Sequence, residues 1–410
     1  MLVFKRLSVS VATRRNVIVR NIVAMGIDTS CDDTCVAIVD HHRNVRASVC
    51  LSQTALNLQW GGVVPILASS EHERLLPSAV SSCLDTAKMS WKDVDAIAVT
   101  QGPGLSPCLL KGLQYARSCA REHALPLLHV HHLEAHAVVA RMFGEVATPF
   151  LTLLVSGGHC QLLLAQERDS TESVFEAQPP PRSPSASSAI PLHSSHLRWT
   201  CIGNTLDDSL GEALDKVSRM LEIPFGAHLH GGAALEQAAI GGCDTAVPFS
   251  VPMTATTCCN LSFSGLKSAA RRYVDQQKAG SNQKQLTSQQ RSDIASSFQR
   301  VSFKHVSQRV DRAVRYSNQL LPQPITSLVV CGGVASNQRL RAALDAVGQR
   351  HSLPVFYPPP AFCIDNGAMI AWLGIERIQS LGLPAVAAPE SVDACFTRWP
   401  LGNQAVVSYK

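Results

Sequence analysis

Two histidines and one distant aspartate have the residue types and spacing of a metal site. His132 and His136 lie four positions apart in the segment His132-Leu133-Glu134-Ala135-His136, and Asp365 lies far along the chain. On a helix, residues four apart are rotated by only about 40°, so both imidazoles leave one face. A carboxylate could complete a His/His/Asp site with open positions for a substrate. Spacing alone leaves two interpretations open, a metal site and structural histidines. Because the order is not H-E-x-x-H, the zinc-peptidase arrangement is not predicted.

Three glycine-containing segments each follow an apolar stretch, at residues 26–30, 156–159 and 331–334. Glycine allows backbone amides to approach a phosphate closely, and successive amides can form an anion-binding nest. Any one such segment also fits a plain turn. Three together, two of them opening hairpins, indicate an α/β fold of the actin, Hsp70 and sugar-kinase (ASKHA) type. In that fold two related lobes hold a nucleotide in the cleft between them.

The hydrophobic pattern predicts the elements that position these residues. Apolar runs that end in polar turns are typical of strands, and apolar residues at every third or fourth position are typical of helices. A further helix is expected to carry His132 and His136. The predicted strands cover residues 23–28, 34–40, 95–100, 127–130, 151–155, 161–165, 328–331 and 355–357, and the other predicted helices cover 71–89, 106–123 and 365–378.

We divide the chain into a leader at residues 1–23 and two lobes. Lobe I comprises residues 24–150 with a C-terminal return at about 366–405, and lobe II comprises 151–365. Lobe II contains an unusual stretch at about 167–198. Between positions 170 and 195 it has five prolines and eight serines. This composition buries too little apolar surface to order itself, so we predict a flexible surface insertion.

The positive charge of the chain is concentrated at its start. The formal net charge is +5, and residues 1–27 carry five basic residues with no acid before Asp28. Without these five, the 36 basic residues fall to 31 and match the 31 acidic ones. The basic, serine-containing leader resembles a mitochondrial transit peptide, and a basic tail without targeting function is the alternative. Any nucleic-acid binding must then come from a local patch of the remaining chain.

Composition excludes several other classes. No apolar run of the 410 residues is long enough to cross a bilayer, so no membrane association is predicted. The 14 cysteines form no C-x-x-C pair, which argues against a disulfide framework or a zinc knuckle. Reduced and mostly buried thiols are the prediction.

Nine segments in order match the motifs of one known family. They are Ser30-Cys31-Asp32-Asp33-Thr34, Gly61-Gly62-Val63-Val64-Pro65, Gly102-Pro103-Gly104-Leu105, His131-His132-Leu133-Glu134-Ala135-His136, Leu154-Val155-Ser156-Gly157-Gly158-His159, Gly211-Glu212-Ala213-Leu214-Asp215-Lys216, Ser262-Phe263-Ser264-Gly265-Leu266-Lys267, Gly332-Gly333-Val334-Ala335-Ser336-Asn337 and Asp365-Asn366-Gly367-Ala368-Met369. Over about residues 23–405 the chain resembles the universal tRNA threonylcarbamoyladenosine synthase family, once described as O-sialoglycoprotein endopeptidases. The basic leader makes it similar to the mitochondrial branch.

The resemblance implies a metal-dependent acyl transfer. Threonylcarbamoyl-AMP, supplied by a separate adenylate-forming synthase, would donate its threonylcarbamoyl group to N6 of adenosine 37. The acceptors would be tRNAs that read codons beginning with A, and AMP would leave. The location implied is the mitochondrial matrix. We also expect a homodimer.

The resemblance also assigns roles to residues. His132, His136 and Asp365 would hold one divalent cation per subunit, with iron or zinc as the expected metals. The adenylate donor would be bound by Leu154, Val155, Ser156, Gly157, Gly158, Asp215, Gly232, Glu236 and Asn337. Asp32 and Asp33 are candidates for handling the proton of the amine, and a capped polar turn is the alternative for both. Many relatives have Asp-Glu at the place of this pair.

Two other functions stay open at this point. The same fold serves small-molecule kinases and ATPases, which need an acid facing a γ-phosphate and have no use for His132 and His136. A nucleotide-dependent chaperone or scaffold is the third interpretation. It predicts a conformational switch without a metal-dependent product.

Overall fold

The computed structural model describes residues 21–60, 62–168, 175–176, 193–194, 196–224, 231–279, 285–382 and 394–405. Residues 1–20 of the predicted leader lie outside the described residues, as does most of the predicted insertion at about 167–198.

The described residues form two main sheets and one small strand pair. The predicted strands are present, with ends that shift by a few residues. The strands are β1 (Val23–Asp28), β2 (Thr34–Asp40), β3 (Val45–Leu51), β4 (Ala96–Gly102), β5 (Leu127–His131), β6 (Phe150–Val155), β7 (Cys160–Glu167), β8 (Phe175–Glu176), β9 (His193–Ser194), β10 (Leu197–Asn204), β11 (Leu328–Cys331), β12 (Val355–Phe356) and β13 (Asn403–Gln404).

The α-helices connect and cover these sheets. The predicted helix at 71–89 begins earlier, at Pro65, because proline is well suited to the first position of a helix. The helices are α1 (Thr54–Trp60), α2 (Pro65–Ala87), α3 (Ser106–Glu122), α4 (His132–Val138), α5 (Leu210–Met220), α6 (Gly231–Ala238), α7 (Ser264–Ala279), α8 (Ser288–Leu320), α9 (Gln338–His351), α10 (Pro360–Cys363) and α11 (Gly367–Leu381).

The two main sheets have the same strand order. The first runs β3-β2-β1-β4-β5, and the second, taken from β10, runs β10-β7-β6-β11-β12 with β13 added beside β10. In each sheet three antiparallel strands are extended by two strands parallel to the first. This repeated topology is the two-lobed α/β architecture of the ASKHA class, which confirms the predicted fold.

Helix α11 lies directly on the first sheet, where it packs against β1, β2 and β4. The close approach depends on glycine, because a Cβ at Gly26 would lie 2.1 Å from the carbonyl oxygen of Gly367. β13, by contrast, pairs with β10 of the second sheet. The assignment of the whole of 366–405 to lobe I stays a prediction.

The buried apolar side chains form three clusters, and the middle one joins the two sheets. It contains Leu133 of α4, Ile370 of α11 and Leu154 of β6. The other two clusters lie under α2 and α3 in the first lobe and around α8 in the second. Helices α4 and α11 are therefore held between the lobes, next to the strand ends at which such folds bind ligands.

The cysteines and the hydropathy of the helices bear on the predictions from composition. The cysteines are free thiols, and most of them are buried. Among the described helices, none combines the length and hydropathy that a membrane span requires.

Candidate metal centre in the interlobe cleft

His132, His136 and Asp365 meet at one place between the lobes. His132 and His136 are on α4, and Asp365 lies two residues before α11. Oδ1 of Asp365 is 3.4 Å from Nε2 of His132 and 3.1 Å from Nε2 of His136. One nitrogen or oxygen from each residue lies within 4.8 Å of the others. The structure therefore brings the three predicted ligands into an arrangement that could hold one metal ion.

The start of α4 fixes the orientation of the two predicted ligands His132 and His136. The helix begins directly after β5, and His131 caps it, because its Nδ1 accepts a hydrogen bond from the backbone N–H of Leu133 at 3.2 Å. The other ring nitrogen of His131 lies 3.0 Å from the carbonyl oxygen of Trp399. His131 is thus a structural neighbour, whereas the side chains of the i, i+4 pair face Asp365.

Asp28, at the end of β1, contacts one of the predicted metal ligands, His132. Its Oδ1 lies 3.4 Å from Nδ1 of His132, on the side of the ring opposite Asp365. A carboxylate behind a ligating imidazole fixes the tautomer and leaves Nε2 for the metal. Sequence reasoning placed Asp28 in a glycine turn and missed this role. The available signal was a carboxylate at the carboxyl end of a buried strand.

The electrostatics of the three residues suit a cation. Burial by itself lowers the pKa of His132, but the carboxylates of Asp28 and Asp365 outweigh burial and raise it to about 10. Burial raises the pKa of Asp365, and the two histidines more than compensate and hold it well below its usual range. Among the described residues, the buried Nδ1 of His136 has no hydrogen-bond partner. A divalent cation would replace the proton shared in this cluster, so the donor set fits a metal.

A buried ion pair ties α4 to α11. Glu134 lies between the two histidines, is fully buried, and accepts hydrogen bonds from the guanidinium of Arg377 and from Nε1 of Trp199, the latter at 3.1 Å. Arg377 also donates to the carbonyl oxygen of His129 at 2.9 Å. The Glu134–Arg377 pair therefore fixes the position of α4, which carries His132 and His136, relative to α11, which follows Asp365.

The glycine turn after β6 forms the opposite wall of the cleft. Leu154 and Val155 are buried at the end of the strand, and Ser156 closes the turn, since its backbone N–H donates to the carbonyl oxygen of His159 at 2.8 Å. Among the described residues, a Cβ added at Gly157 or Gly158 would have no atom within 4 Å other than those of its chain neighbours. These glycines are not required by packing, and they leave the backbone amides open to a ligand.

His159, the last residue of this turn, was not among the predicted site residues. Burial, together with the charges of His132 and His136 and against that of Asp365, lowers its pKa to about 4. The imidazole is therefore neutral at physiological pH and lies in the field of the metal ligands. Its place directly after the glycine pair was the signal available in the sequence.

The remaining predicted donor-binding residues continue along the second lobe from this turn. The N-terminus of α5 touches the turn at Gly211, and a Cβ at Gly231 would lie 2.1 Å from Oδ1 of Asp215, which places Asp215 beside Gly232 at the start of α6. The carboxylate of Asp215 also pairs with Arg219 at 2.9 Å.

Two further predicted residues lie beyond α6. Glu236 accepts a hydrogen bond from the backbone N–H of Gln338 at 2.7 Å, which places it next to Asn337. The Asn337 side chain is engaged, because it caps α9 through the N–H of Leu340 at 3.0 Å and donates to Gln299 at 3.3 Å.

Asp32 and Asp33 lie in the turn after β1 and are partly exposed. Oδ2 of Asp32 accepts a hydrogen bond from the side-chain amide of Asn57 at 2.6 Å. Nearby His72 bridges Thr34 and the carbonyl oxygen of Cys31, which stiffens the turn. Burial raises the pKa of the Cys31 thiol, and the charges of Asp32 and Asp365 raise it further, which places the acidic turn near Asp365.

Fold and site together define a two-lobed α/β protein with a candidate metal centre in the cleft. A family model described as TsaD, tRNA N6-adenosine threonylcarbamoyltransferase, matches residues 44–178 and 190–372. The chain belongs to this family of transferases, which act on tRNA.

Similar proteins agree with the family model. The chain is 38% identical to a probable mitochondrial tRNA N6-adenosine threonylcarbamoyltransferase of Arabidopsis thaliana over 94% of this chain and 76% of that protein. It is 36% identical to the enzyme of Gluconobacter oxydans, over 93% of each chain. The solved structure of HypF from T. kodakarensis aligns with a TM-score of 0.49 at 13% identity, over 89% of this chain and 49% of that one. The fold assignment here depends on the topology and not on that alignment.

Proposed function

We propose that this protein transfers the threonylcarbamoyl group from threonylcarbamoyl-AMP to N6 of adenosine 37, in mitochondrial tRNAs that read codons beginning with A. The observation that supports this most is the convergence of His132, His136 and Asp365 within 4.8 Å, in a chain of the tRNA N6-adenosine threonylcarbamoyltransferase family. In the reaction the N6–carbon bond forms, the carbon–oxygen bond to phosphate breaks, N6 loses a proton, and AMP leaves.

The donor would lie along the second lobe. The amides of Gly157 and Gly158, in the turn that Leu154, Val155 and Ser156 lead into, would bind its phosphate, because both glycines are exposed and successive amides favour an anion. Asp215, beside Gly232, would accept hydrogen bonds from the ribose hydroxyls. Glu236 and Asn337 would line the far end of the donor site.

The acceptor amine would lie toward the first lobe. Adenosine N6 is a poor nucleophile, since its lone pair is delocalised into the ring. Positioning in the cleft supplies part of the rate enhancement, and Asp32 or Asp33 would take up the proton that N6 releases. A divalent cation on His132, His136 and Asp365, iron or zinc, would act as a Lewis acid toward the oxygens of the donor.

The cellular setting is also a proposal. The basic leader and the mitochondrial relative from Arabidopsis support the mitochondrial branch and a location in the matrix. A separate synthase would supply the adenylate. Trp60, Val63 and Ile66 are exposed apolar residues close together in the first lobe, which supports a homodimer. A fusion of residues 1–30 to a fluorescent protein that stayed in the cytosol would contradict the location.

Reconstitution tests the reaction. The full chain is incubated with ATP, threonine, bicarbonate, a purified adenylate-forming synthase and unmodified tRNA transcript, and the digested tRNA is examined by mass spectrometry. We expect the modified nucleoside with the wild type and with His42→Ala, an exposed histidine outside the cleft. The double variant His132→Ala/His136→Ala should lose both product and bound metal.

Three outcomes discriminate between interpretations. Product formed at the wild-type rate by the double variant would refute the metal assignment. ATP hydrolysis without modified tRNA would favour the kinase or ATPase interpretation, which the family membership does not favour. Metal binding without any product would favour the interpretation as a chaperone or scaffold.

A further inference from the structure

A second polar cavity lies at the far ends of α4 and α11 from the metal ligands. It has a volume of about 300 Å³, and we call it the α11 cavity. Glu376 lies eleven residues after Asp365, which corresponds to about 16 Å along a helix. The cavity is therefore separate from the candidate metal centre. Its polar lining comes from the turn after β2, the segment after α4, the start of β10 and the second half of α11, with His41, Arg43, Arg141, His196, Trp372 and Glu376 as the residues that matter here.

Several buried polar atoms on this lining have no hydrogen-bond partner among the described residues. They are Nη1 of Arg141, Nε1 of Trp372, both ring nitrogens of His196, Nδ1 of His41 and Oε2 of Glu376. Trp372 is only 4% exposed, and the side chain of His196 only 8%. Buried polar groups are normally hydrogen-bonded, and one left unpaired costs about 1–3 kcal/mol. Their convergence on a single cavity points to a ligand that accepts hydrogen bonds.

The carboxylates around the cavity are already paired. Glu376 lies 3.3 Å from Nε of Arg141 and 3.0 Å from Nε2 of His196. Glu145 pairs with Arg43 at 2.9 Å and is otherwise largely exposed. Because Oε2 of Glu376 lies beside Nε2 of His196, the four other unpartnered atoms are all nitrogens, and they include Nη1 of Arg141 and Nε1 of Trp372. Guanidinium groups favour carboxylate and phosphate oxygens, because the planar fork matches their geometry.

We propose that the α11 cavity binds a small molecule through a carboxylate or phosphate group that accepts hydrogen bonds from Arg141 and Trp372. The volume is at the lower end of the range for small-molecule sites, so the ligand has the size of a metabolite and not of a polymer. The cavity lies at one end of the two helices whose other ends present the metal ligands, and a bound anion would brace that end.

Indole signals of the full chain test this proposal directly. The sequence contains five tryptophans, so protein labelled with ¹⁵N at the indole nitrogen gives five signals, and Trp372→Phe assigns one of them. Inorganic phosphate and acetate are titrated separately at constant ionic strength. We expect the Trp372 signal to shift saturably with at least one anion while the other four stay in place. A response to phosphate alone identifies phosphate compounds, and a response to acetate identifies carboxylates.

Variants decide whether Arg141 holds the anion. Arg141→Gln should weaken binding at least tenfold, and Arg141→Lys, which keeps the charge without the planar fork, at least threefold. Arg74→Gln is the matched control, because Arg74 is an exposed arginine on α2 that pairs with Glu71. The proposal is overturned if neither anion moves the Trp372 signal, if all five signals move together, or if both Arg141 variants bind like the wild type.

Discussion

The turns after β1 and β6 occupy equivalent places in two sheets of the same strand order, yet they carry opposite chemistry. The first contains Asp32 and Asp33 and follows Asp28, whereas the second contains Gly157 and Gly158 and no acid. Asp28, which precedes the first turn, places a carboxylate 3.4 Å from His132, whereas the second turn has exposed backbone at Gly157 and Gly158. The repeated topology therefore decides where a ligand binds, and the side chains of each turn decide which part of the ligand it meets.

The glycines of the two lobes differ in the same way. A Cβ at Gly26 would collide with the backbone of α11, with 2.1 Å to the carbonyl oxygen of Gly367. A Cβ at Gly158 would meet no atom within 4 Å in the part of the chain that the structure describes, apart from its chain neighbours. Gly26 is thus required for packing, and Gly158 is free of any packing requirement. Four predictions test this contrast, in order of decreasing effect.

The largest effect is expected for Gly26→Ala. The new methyl group would separate α11 from β1, because the α11 atoms that it meets belong to the backbone and cannot rotate away. We expect the free energy of unfolding to fall by about 3 kcal/mol. Denaturant unfolding of the variant and the wild type measures this. An unchanged stability would mean that the two elements are less closely packed than the structure shows.

Asp28→Asn tests the acidic residues at and after the end of β1. The amide cannot hold the His132 tautomer as a carboxylate does, so metal affinity should fall about 10- to 100-fold. Competition with a chelator measures the affinity. Asp32→Asn, in the turn that follows Asp28, is the matched control, and it should lower the rate of transfer without altering metal binding. Equal loss of metal in both variants would show that the turn acts only through its total charge.

Gly158→Ala tests the exposed glycine turn after β6. The free energy of unfolding should stay within about 0.5 kcal/mol of the wild type, because the methyl group has room. The KM for the adenylate donor should rise about tenfold, which corresponds to about 1.4 kcal/mol of lost binding. Steady-state kinetics and denaturant unfolding separate the two readouts. A stability loss as large as that of Gly26→Ala would abolish the contrast between the lobes.

The smallest effect concerns the interior behind the second turn. His305 on α8 is fully buried, its Nε2 accepts a hydrogen bond from the N–H of Ser262 at 3.3 Å, and burial, aided by Arg309, lowers its pKa to about 4. The unfolded chain takes up this proton near pH 6.5, well before the folded chain does. Stability is therefore complete above pH 6.5 and falls as the pH decreases toward 4.

Between pH 7 and pH 6 the loss attributable to His305 is about 0.7 kcal/mol. Comparing denaturant unfolding of the wild type and His305→Gln at both pH values measures it. We expect a shallower pH dependence in the variant. An identical pH dependence of unfolding in the two proteins would show that the interior of the second lobe tolerates a charge on His305.

Some features of the site followed from sequence patterns and others did not. The His132 and His136 pair was predicted because a helix repeats every 3.6 residues, which is a local property. Asp28 behind His132 and the Glu134–Arg377 pair were missed, because each joins residues far apart in the chain. The roles of Asp32, Asp33 and the donor-binding residues stay predictions.

By itself the sequence determined the strands, the helices, the glycine turns and the two histidines on one helical face, because these depend on neighbours a few positions apart. It also contained the motifs that assign the chain to its family. Only the tertiary structure decided that Asp365 faces His132 and His136, that Gly158 is open while Gly26 is closed, and that unpaired nitrogen groups converge at the end of α11. Such distances depend on how the two sheets pack around α4 and α11, which no local pattern encodes.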